Sequence, residues 1–378
     1  MKGEAIFKRI ISGQTKDPLT AAARGGLGLL SKLYEAGVNR RNDKFDSEEG
    51  VTHAAVPVIS VGNITAGGTG KTPMVRYVCE YLEQAGYQPS ILSRGYKAAY
   101  NAQPIVVSGK GQVLVTPKVS GDEPYLLAKG LDQTSVIIGR NRSASGNVAV
   151  NELQSDILVL DDGFQHRRLA RDLDIVLIDA VQPFGYDHVL PRGLLREPLD
   201  GLKRAQVIVL TKTNLVPKDI LFGIKNRLKN MVPYMPIFET IHKPLAVKTL
   251  DQWERCSDNT VDSDEVKKHR LLAVSGIGSP ESFKATLDGL EFNTIDSMDF
   301  GDHHDYTTDD LIKLWTKIFA TGATAVITTE KDAVKLSQLS GIRDFKIPIY
   351  VLPVGIEFVE NEQEFLEIID RTGKKGRR

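Results

Sequence analysis

The chain has 378 residues, enough for two separate hydrophobic cores. With 41% hydrophobic and 25% charged residues it has the composition of an ordinary soluble globular protein. Its 48 basic and 48 acidic residues cancel, so no bulk charge points to nucleic acid. Cys79 and Cys256, the 2 cysteines, make neither a disulfide framework nor a metal cluster, a usage that fits a reducing cytoplasm.

At the N-terminus no apolar stretch sits directly behind a basic start and before a small-residue cleavage site, so no cleavable signal is expected. No window reaches the ~18–20 uninterrupted apolar residues of a transmembrane helix. Pro18 to Val38 nevertheless reads as an amphipathic helix. Leu19, Ala22, Ala23, Leu29, Leu30 and Leu33 share one side, and Arg24, Ser31, Lys32 and Glu35 lie opposite. Gly25, Gly26 and Gly28 weaken it as a free helix. Two readings stand open: a helix docked on the domain, or one lying in a membrane interface with Arg40 and Arg41 as a modest positive flank.

Val58-Ile59-Ser60-Val61 is a β-branched strand running into Gly62-Asn63-Ile64-Thr65-Ala66-Gly67-Gly68-Thr69-Gly70. Lys71-Thr72-Pro73 then opens a helix through Tyr77 to Ala85, with Val75, Val78, Cys79 and Leu82 as its apolar stripe. Further strands are expected at Pro89–Tyr96, Ser135–Gly139, Asp156–Asp161, Leu173–Asp179 and Gln206–Thr211. Short continuous apolar runs of this kind are covered by helices on both faces, which means a doubly wound, mostly parallel sheet. Ligands of such sheets bind beyond the carboxyl ends of the strands, where the glycine loop, Arg94, Asp161 and Thr211 all fall. After a polar stretch from Asp251 to His269, a second series follows: strand Leu271–Ile277, helix Pro280–Leu287, and strands Thr324–Thr329 and Ile347–Val351. The expected organisation is an N-terminal amphipathic region over 1–48, a phosphate-loop core over 49–235, and a smaller α/β domain over 236–378 that closes over the site. The basic tail Lys374–Arg378 reads as a solvated end.

The glycine loop carries the first chemistry. A strand, a glycine-rich turn and Gly-Lys-Thr at a helix start make a phosphate-binding loop, in which backbone N–H groups and the helix dipole cradle phosphate oxygens. The expected binding residues are Ile64, Thr65, Ala66, Gly67, Gly68, Thr69, Gly70, Lys71 and Thr72, with Lys71 on the β- and γ-phosphates and the Thr72 hydroxyl on Mg²⁺. The general pattern has glycine where Thr65 stands. Asp161-Asp162-Gly163 ends a strand, and two adjacent carboxylates there call for a cation nearby. Asp122 in Gly121-Asp122-Glu123-Pro124 reads, from spacing alone, as a helix cap. In Asp302-His303-His304, one histidine partnering a carboxylate is chemically simpler than a metal pair. Arg192 to Pro198 places Arg192, Arg196 and Glu197 in one loop. Neutralisation of phosphate charge and a surface ion pair are both open there.

Together these motifs resemble the tetraacyldisaccharide 4′-kinase family of the lipid A pathway. The resemblance rests on Val61-Gly62-Asn63, Gly67 to Pro73, Ser93-Arg94-Gly95-Tyr96, Gly121 to Pro124 and Asp161-Asp162-Gly163-Phe164-Gln165-His166. It continues through Leu195-Arg196-Glu197-Pro198, Asp302-His303 and Thr329-Glu330-Lys331-Asp332-Ala333-Val334-Lys335, in the family's order. Thr65 is also what this family shows. The resemblance implies a P-loop NTPase-like α/β fold with a second, smaller α/β domain. It further implies ATP-dependent phosphorylation of the 4′-hydroxyl of an acylated disaccharide 1-phosphate lipid, with Mg²⁺, at the cytoplasmic face of a bacterial inner membrane.

By the same resemblance Asp122 is the catalytic base and His303 its partner across the domain cleft. Asp161 and Asp162 are the acidic pair near Mg²⁺, and Glu197 is an acidic residue close to the reacting phosphates, with Lys71 and Arg196 neutralising charge. Family members carry an N-terminal membrane helix; here its short apolar length favours lying in the interface. The alternatives from other classes are a small-molecule kinase or ligase with a soluble acceptor, and a GTPase-like switch. For the latter Thr211-Lys212-Thr213-Asn214 is a loose echo, with Asn where a guanine-reading carboxylate is needed.

Overall fold

A computed structural model describes residues 2–14, 17–95 and 103–375. Tyr96 and the tail residues Gly376, Arg377 and Arg378, named above, lie outside the described residues. In chain order the strands are β1 (Val58–Asn63), β2 (Pro89–Ser93), β3 (Ile105–Gly109), β4 (Gln112–Val113), β5 (Ser135–Ile138), β6 (Ile157–Asp161), β7 (Leu173–Asp179), β8 (Val207–Thr211) and β9 (Ile237–Pro244). β10 (Lys248–Thr249), β11 (Leu271–Ser275), β12 (Thr294–Asp299), β13 (Ala325–Thr329), β14 (Ile349–Leu352) and β15 (Val354–Phe358) follow. The larger sheet has 10 strands in the order β4-β3-β5-β2-β6-β1-β7-β8-β9-β15, and the smaller has 5 in the order β10-β14-β13-β11-β12.

The centre of the larger sheet is parallel, and its strands are buried along their length, as their largely apolar runs require. β1 lies between β6 and β7, with Val61 in register with Asp161 on one side and Ile175 on the other. The loop after β1 and the acidic pair after β6 therefore emerge side by side at the carboxyl edge. Gly62 is required there, because a Cβ on it would sit 2.6 Å from the Cβ of Phe164. The helix Lys71–Gln84 buries Met74, Val75, Val78, Cys79 and Leu82 on one face, so Cys79 is a core residue.

The division expected at 235/236 is corrected by sheet membership. β9, β15 and the helix Glu362–Lys374 all belong with the larger sheet, where Phe238, Phe358, Phe365 and Ile369 share one core with Val61 and Val75. The rings of Phe358 and Phe365 lie 4.7 Å apart, and those of Phe238 and Phe365 5.4 Å. The chain thus leaves the larger sheet after Pro244, builds the smaller sheet, and returns after Leu352. The two crossings are joined by a hydrogen bond from the Leu245 amide to the Pro353 carbonyl, 2.9 Å.

The N-terminal helix runs further than expected, from Pro18 to Asp46, and Asp17 caps it by accepting from the Thr20 amide. It docks through its polar side. Ser31 is buried, donating to the Val189 carbonyl (2.8 Å) and accepting from the Arg192 amide (2.8 Å). The Tyr34 hydroxyl donates to the Arg196 carbonyl at 2.9 Å. The opposite side is left in the open: Leu19, Leu29, Leu30 and Leu33 are 81%, 66%, 53% and 67% exposed. Both sequence readings are therefore compatible with one geometry. Among the described residues no helix is long and apolar enough to cross a membrane.

Candidate active site

A cleft of about 1060 Å³ opens at the carboxyl edge of the larger sheet and is closed on its far side by residues of the smaller sheet's loops. Its floor is the glycine loop. Gly67 and Gly70 hold φ of 126° and 85°, a left-handed backbone open to glycine, and a Cβ on Gly70 would come 2.5 Å from His242 Nε2. Thr65 does not adopt a left-handed backbone, so glycine is not needed there.

Gly67 to Thr72 line the cleft, but Ile64, Thr65 and Ala66 do not. The Ala66 amide donates to the Leu194 carbonyl (2.7 Å), and the Ile64 carbonyl accepts from the Arg196 amide (2.8 Å). Asn63 Nδ2 holds the Thr65 carbonyl at 2.7 Å. The Ala66 amide and the Ile64 carbonyl thus strap the loop to residues 194–196, while the Thr65 carbonyl is held by Asn63.

Lys71 Nζ stands 3.3 Å from Asn63 Oδ1 and 3.5 Å from Asp162 Oδ1. Arg196 also reaches Asp162, at 2.8 and 2.9 Å. Burial pushes Asp162 upward, but Lys71 and Arg196 outweigh it and hold this carboxyl below the usual range. Asp161 is the opposite case. It is buried, accepts from Ser93 Oγ at 2.8 Å, and is pushed up to about 6 by burial and then by the charges of Glu123 and Asp162. The two neighbours therefore differ in kind: Asp162 already has its cations, whereas Asp161 is a buried carboxylate whose charge a further cation would stabilise.

Glu197, expected beside the reacting phosphates, is absent from the residues lining the cleft. It is fully buried and accepts from Gln165 Nε2 (3.0 Å), Arg204 Nη2 (2.7 Å) and Asn42 Nδ2 (3.4 Å). Gln165 Nε2 also donates to the Asn63 carbonyl at 2.9 Å and lines the cleft. Glu197 thus holds up Gln165, and with it the end of β1.

On the opposite wall Asp122 begins the helix Asp122–Lys129, and its Oδ1 accepts from the first-turn Glu123 amide at 3.1 Å. His303 Nδ1 lies 3.0 Å from its Oδ2 and 3.3 Å from its Oδ1, with Lys335 Nζ 3.2 Å from Oδ2. Burial would raise Asp122; the His303 hydrogen bond and the charges of Lys335 and Lys331 overcome it and hold the carboxyl well below the usual carboxylate range. His304 turns the other way, to Asp310 (2.9 Å) and a stack on Phe300 (4.6 Å), so the two histidines do not converge on a metal. Asp122 and His303 come from the larger- and smaller-sheet parts of the chain.

Arg94, expected at this edge, lines the cleft together with Arg140, Arg142, His166 and Arg168, a cationic rim that sequence reasoning did not assemble. Arg142 is 3% exposed; burial draws it down to about 10 against the pull of Asp161 and Asp162, and its Nε has no partner among the described residues. His166 is held near 4 by burial and then by Arg142, Arg171 and Arg168, and its Nε2 is likewise buried without a partner among the described residues. The signal for the rim was Gly139-Arg140-Asn141-Arg142 directly after a strand, two cations at a carboxyl end.

One cleft therefore holds a glycine loop of phosphate-binding form, a buried carboxylate bonded to a hydroxyl, a carboxylate–imidazole pair and excess positive charge. Comparison with known proteins gives this arrangement its family. The model of the tetraacyldisaccharide-1-P 4′-kinase family matches residues 24–374. The chain belongs to that family. Tetraacyldisaccharide 4′-kinases from Syntrophus aciditrophicus and Halothermothrix orenii are 37% and 39% identical, covering 83% and 87% of this chain and 84% and 88% of their own. One from Anaeromyxobacter sp. is 35% identical over 98% of both chains. A crystal structure of LpxK from Aquifex aeolicus in complex with ATP superposes with a TM-score of 0.74 at 32% identity, covering 93% of this chain and 99% of that one. The P-loop NTPase-like α/β fold expected from the sequence is thereby established.

If Glu197 is a buried prop, Glu197→Ala should lower the unfolding free energy by ~3–5 kcal/mol, the cost of stranding a buried ionic partner. Urea denaturation followed by circular dichroism measures this. A change below about 1 kcal/mol would return Glu197 to the list of residues acting directly on the phosphates.

Proposed function

We propose that this protein transfers the γ-phosphate of ATP to the 4′-hydroxyl of a tetraacyldisaccharide 1-phosphate, as the names of its relatives state for them. The observation that carries the reading is the Asp122–His303 pair facing the Gly67–Thr72 cradle across a single cleft.

The triphosphate rests on the free N–H groups of Gly67 to Thr72, with Lys71 on its β- and γ-phosphates. The residues present fit Mg²⁺: the Thr72 hydroxyl and Asp161 would hold it, since Asp162 is committed to Lys71 and Arg196. Mg²⁺ characteristically takes one or two carboxylates plus phosphate oxygens and water. When bound it supplies charge neutralisation on the transferring phosphoryl group.

Asp122 accepts the proton of the sugar hydroxyl as the O–P bond forms. Its depressed basicity suits a loose transition state, in which little nucleophilic push is needed and positioning dominates. His303 orients the carboxylate through Nδ1–H. Arg196 and Lys71 keep Asp162 ionised and the cradle fixed. The cationic rim of Arg94, Arg140, Arg142 and Arg168 supports an acceptor that itself carries phosphate. The outward leucines of the N-terminal helix support peripheral contact with a membrane surface, the cytoplasmic face of the inner membrane, where an acylated acceptor resides.

Asp122→Ala and His303→Ala should each lower turnover by ~10²–10⁴-fold, and the double variant should be little worse than Asp122→Ala, because the pair acts as one unit. ATP affinity should hardly change. Multiplicative losses would mean that the two act independently. Deleting residues 1–38 should abolish flotation with anionic liposomes while leaving ATP binding intact; unchanged flotation would place the lipid-facing surface elsewhere.

A further inference from the structure

The helix Glu330–Leu336 lies against the Asp122–His303 pair, and its lysines are not explained by packing. Thr329 caps it, and the buried Asp332 ties it to the loop beside it by accepting from the Gly276 amide (2.9 Å) and the Tyr306 hydroxyl (2.9 Å). This anchoring leaves Lys331 and Lys335, one turn apart, on the face turned to the pair. Lys335 reaches the carboxylate. Lys331 reaches the ring: its Nζ is 3.2 Å from His303 Nε2, and also 3.1 Å from Glu123 Oε1 and 3.1 Å from Asp302 Oδ1.

An ammonium group can only donate, so at this contact Nε2 must be the acceptor. The imidazole then carries its proton on Nδ1, where it donates to Asp122. The opposite tautomer would meet two repulsions at once. Its Nε2–H would point at the Lys331 ammonium, and its Nδ1 lone pair at the Asp122 carboxylate. Glu123 Oε1 stands 3.9 Å from Nε2, beyond hydrogen-bond reach, and holds Lys331. Among the described residues the charged groups around the ring include Asp122 and Glu123 from the helix Asp122–Lys129, Asp302 from the ring's own loop, and Lys331 and Lys335 from the helix Glu330–Leu336. His303 itself sits in a left-handed backbone at φ 56°, with its amide donating to the Gly276 carbonyl at 3.2 Å.

We propose that Lys331 is a positioning residue that locks His303 in the Nδ1–H tautomer, so that His303 acts as a fixed donor to Asp122 rather than as a proton acceptor. This rests on the reading of Asp122 as the base. Lys331 touches neither the reacting hydroxyl nor the carboxylate in this role; it acts through the ring. In the transfer step the hydroxyl proton goes to Asp122, the hydroxyl oxygen bonds to phosphorus, and the bond to the ADP oxygen breaks. The Nδ1 proton stays where Lys331 has placed it.

The test is long-range ¹H–¹⁵N correlation on the full chain with ¹⁵N-labelled histidine, the His303 signals among the 7 histidines being assigned with His303→Gln. In the unaltered protein Nδ1 should be protonated and Nε2 should resonate as a bare acceptor. Lys331→Met should shift His303 toward the Nε2–H tautomer and lower kcat by about 10–100-fold, the scale of a misplaced catalytic group, with KM for ATP unchanged. Lys331→Arg should restore both. An Nε2–H tautomer in the unaltered protein overturns the proposal without recourse to any variant. So does Lys331→Met that loses activity with the tautomer intact, or that raises KM for ATP instead, since Lys331 would then serve the nucleotide. Failure of the base reading is separately visible: Asp122→Asn would keep its turnover while the tautomer measurement stood as described.

Discussion

The pairing of the helix Glu330–Leu336 with the helix Asp122–Lys129 brings the smaller sheet's residues to the larger sheet's cleft. Glu330 receives Trp253 Nε1 at 3.1 Å and lies 3.6 Å from Arg76, a residue of the helix that follows the glycine loop. Lys331 bridges to Glu123, Lys335 to Asp122, and Asp332 pins the loop that carries His303. Asp122, His303 and the glycine loop are thus referred to one another through a few charged contacts at the junction of two sheets. Only two short crossings, held together by the Leu245–Pro353 hydrogen bond, connect those sheets through the chain. Such a junction resembles a hinge in construction, but it has the acceptor-side pair already made.

Charge within the cleft is sorted by distance from the loop. Adjacent carboxylates repel, and the repulsion is relieved unequally: Asp162 takes Lys71 and Arg196, while Asp161 remains buried with only the Ser93 hydroxyl. Further along the same strand edge the sign reverses to the Arg94, Arg140 and Arg142 group. A polyphosphate and a second anionic molecule can therefore share the cleft without sharing their counter-charges.

Much of this was legible where function is packed into a contiguous run. The glycine loop, Lys71 and the Asp161–His166 stretch each combine a strand end with the groups that chemistry needs, so composition and spacing coincide. Asp122 and His303 were not legible in that way. They are 181 positions apart, and beside a helix start Asp122 looked like a cap. The domain boundary failed for another reason. β15 is the edge strand, antiparallel to β9 beside it, and the mixed burial of both lacks the continuous apolar signature of the central strands. Glu197 shows the limit of motif reading: it lies next to Arg196 in sequence, yet the two side chains part, one to the cleft and one to the interior.

The central claim is the transfer itself, and mass spectrometry of a tetraacyl disaccharide 1-phosphate incubated with the protein and Mg-ATP tests it most directly. The account predicts one added phosphate, located by fragmentation at the 4′ position, and no product from Lys71→Ala. ATP consumed without phosphate on the disaccharide, or phosphate added at another hydroxyl, would contradict it.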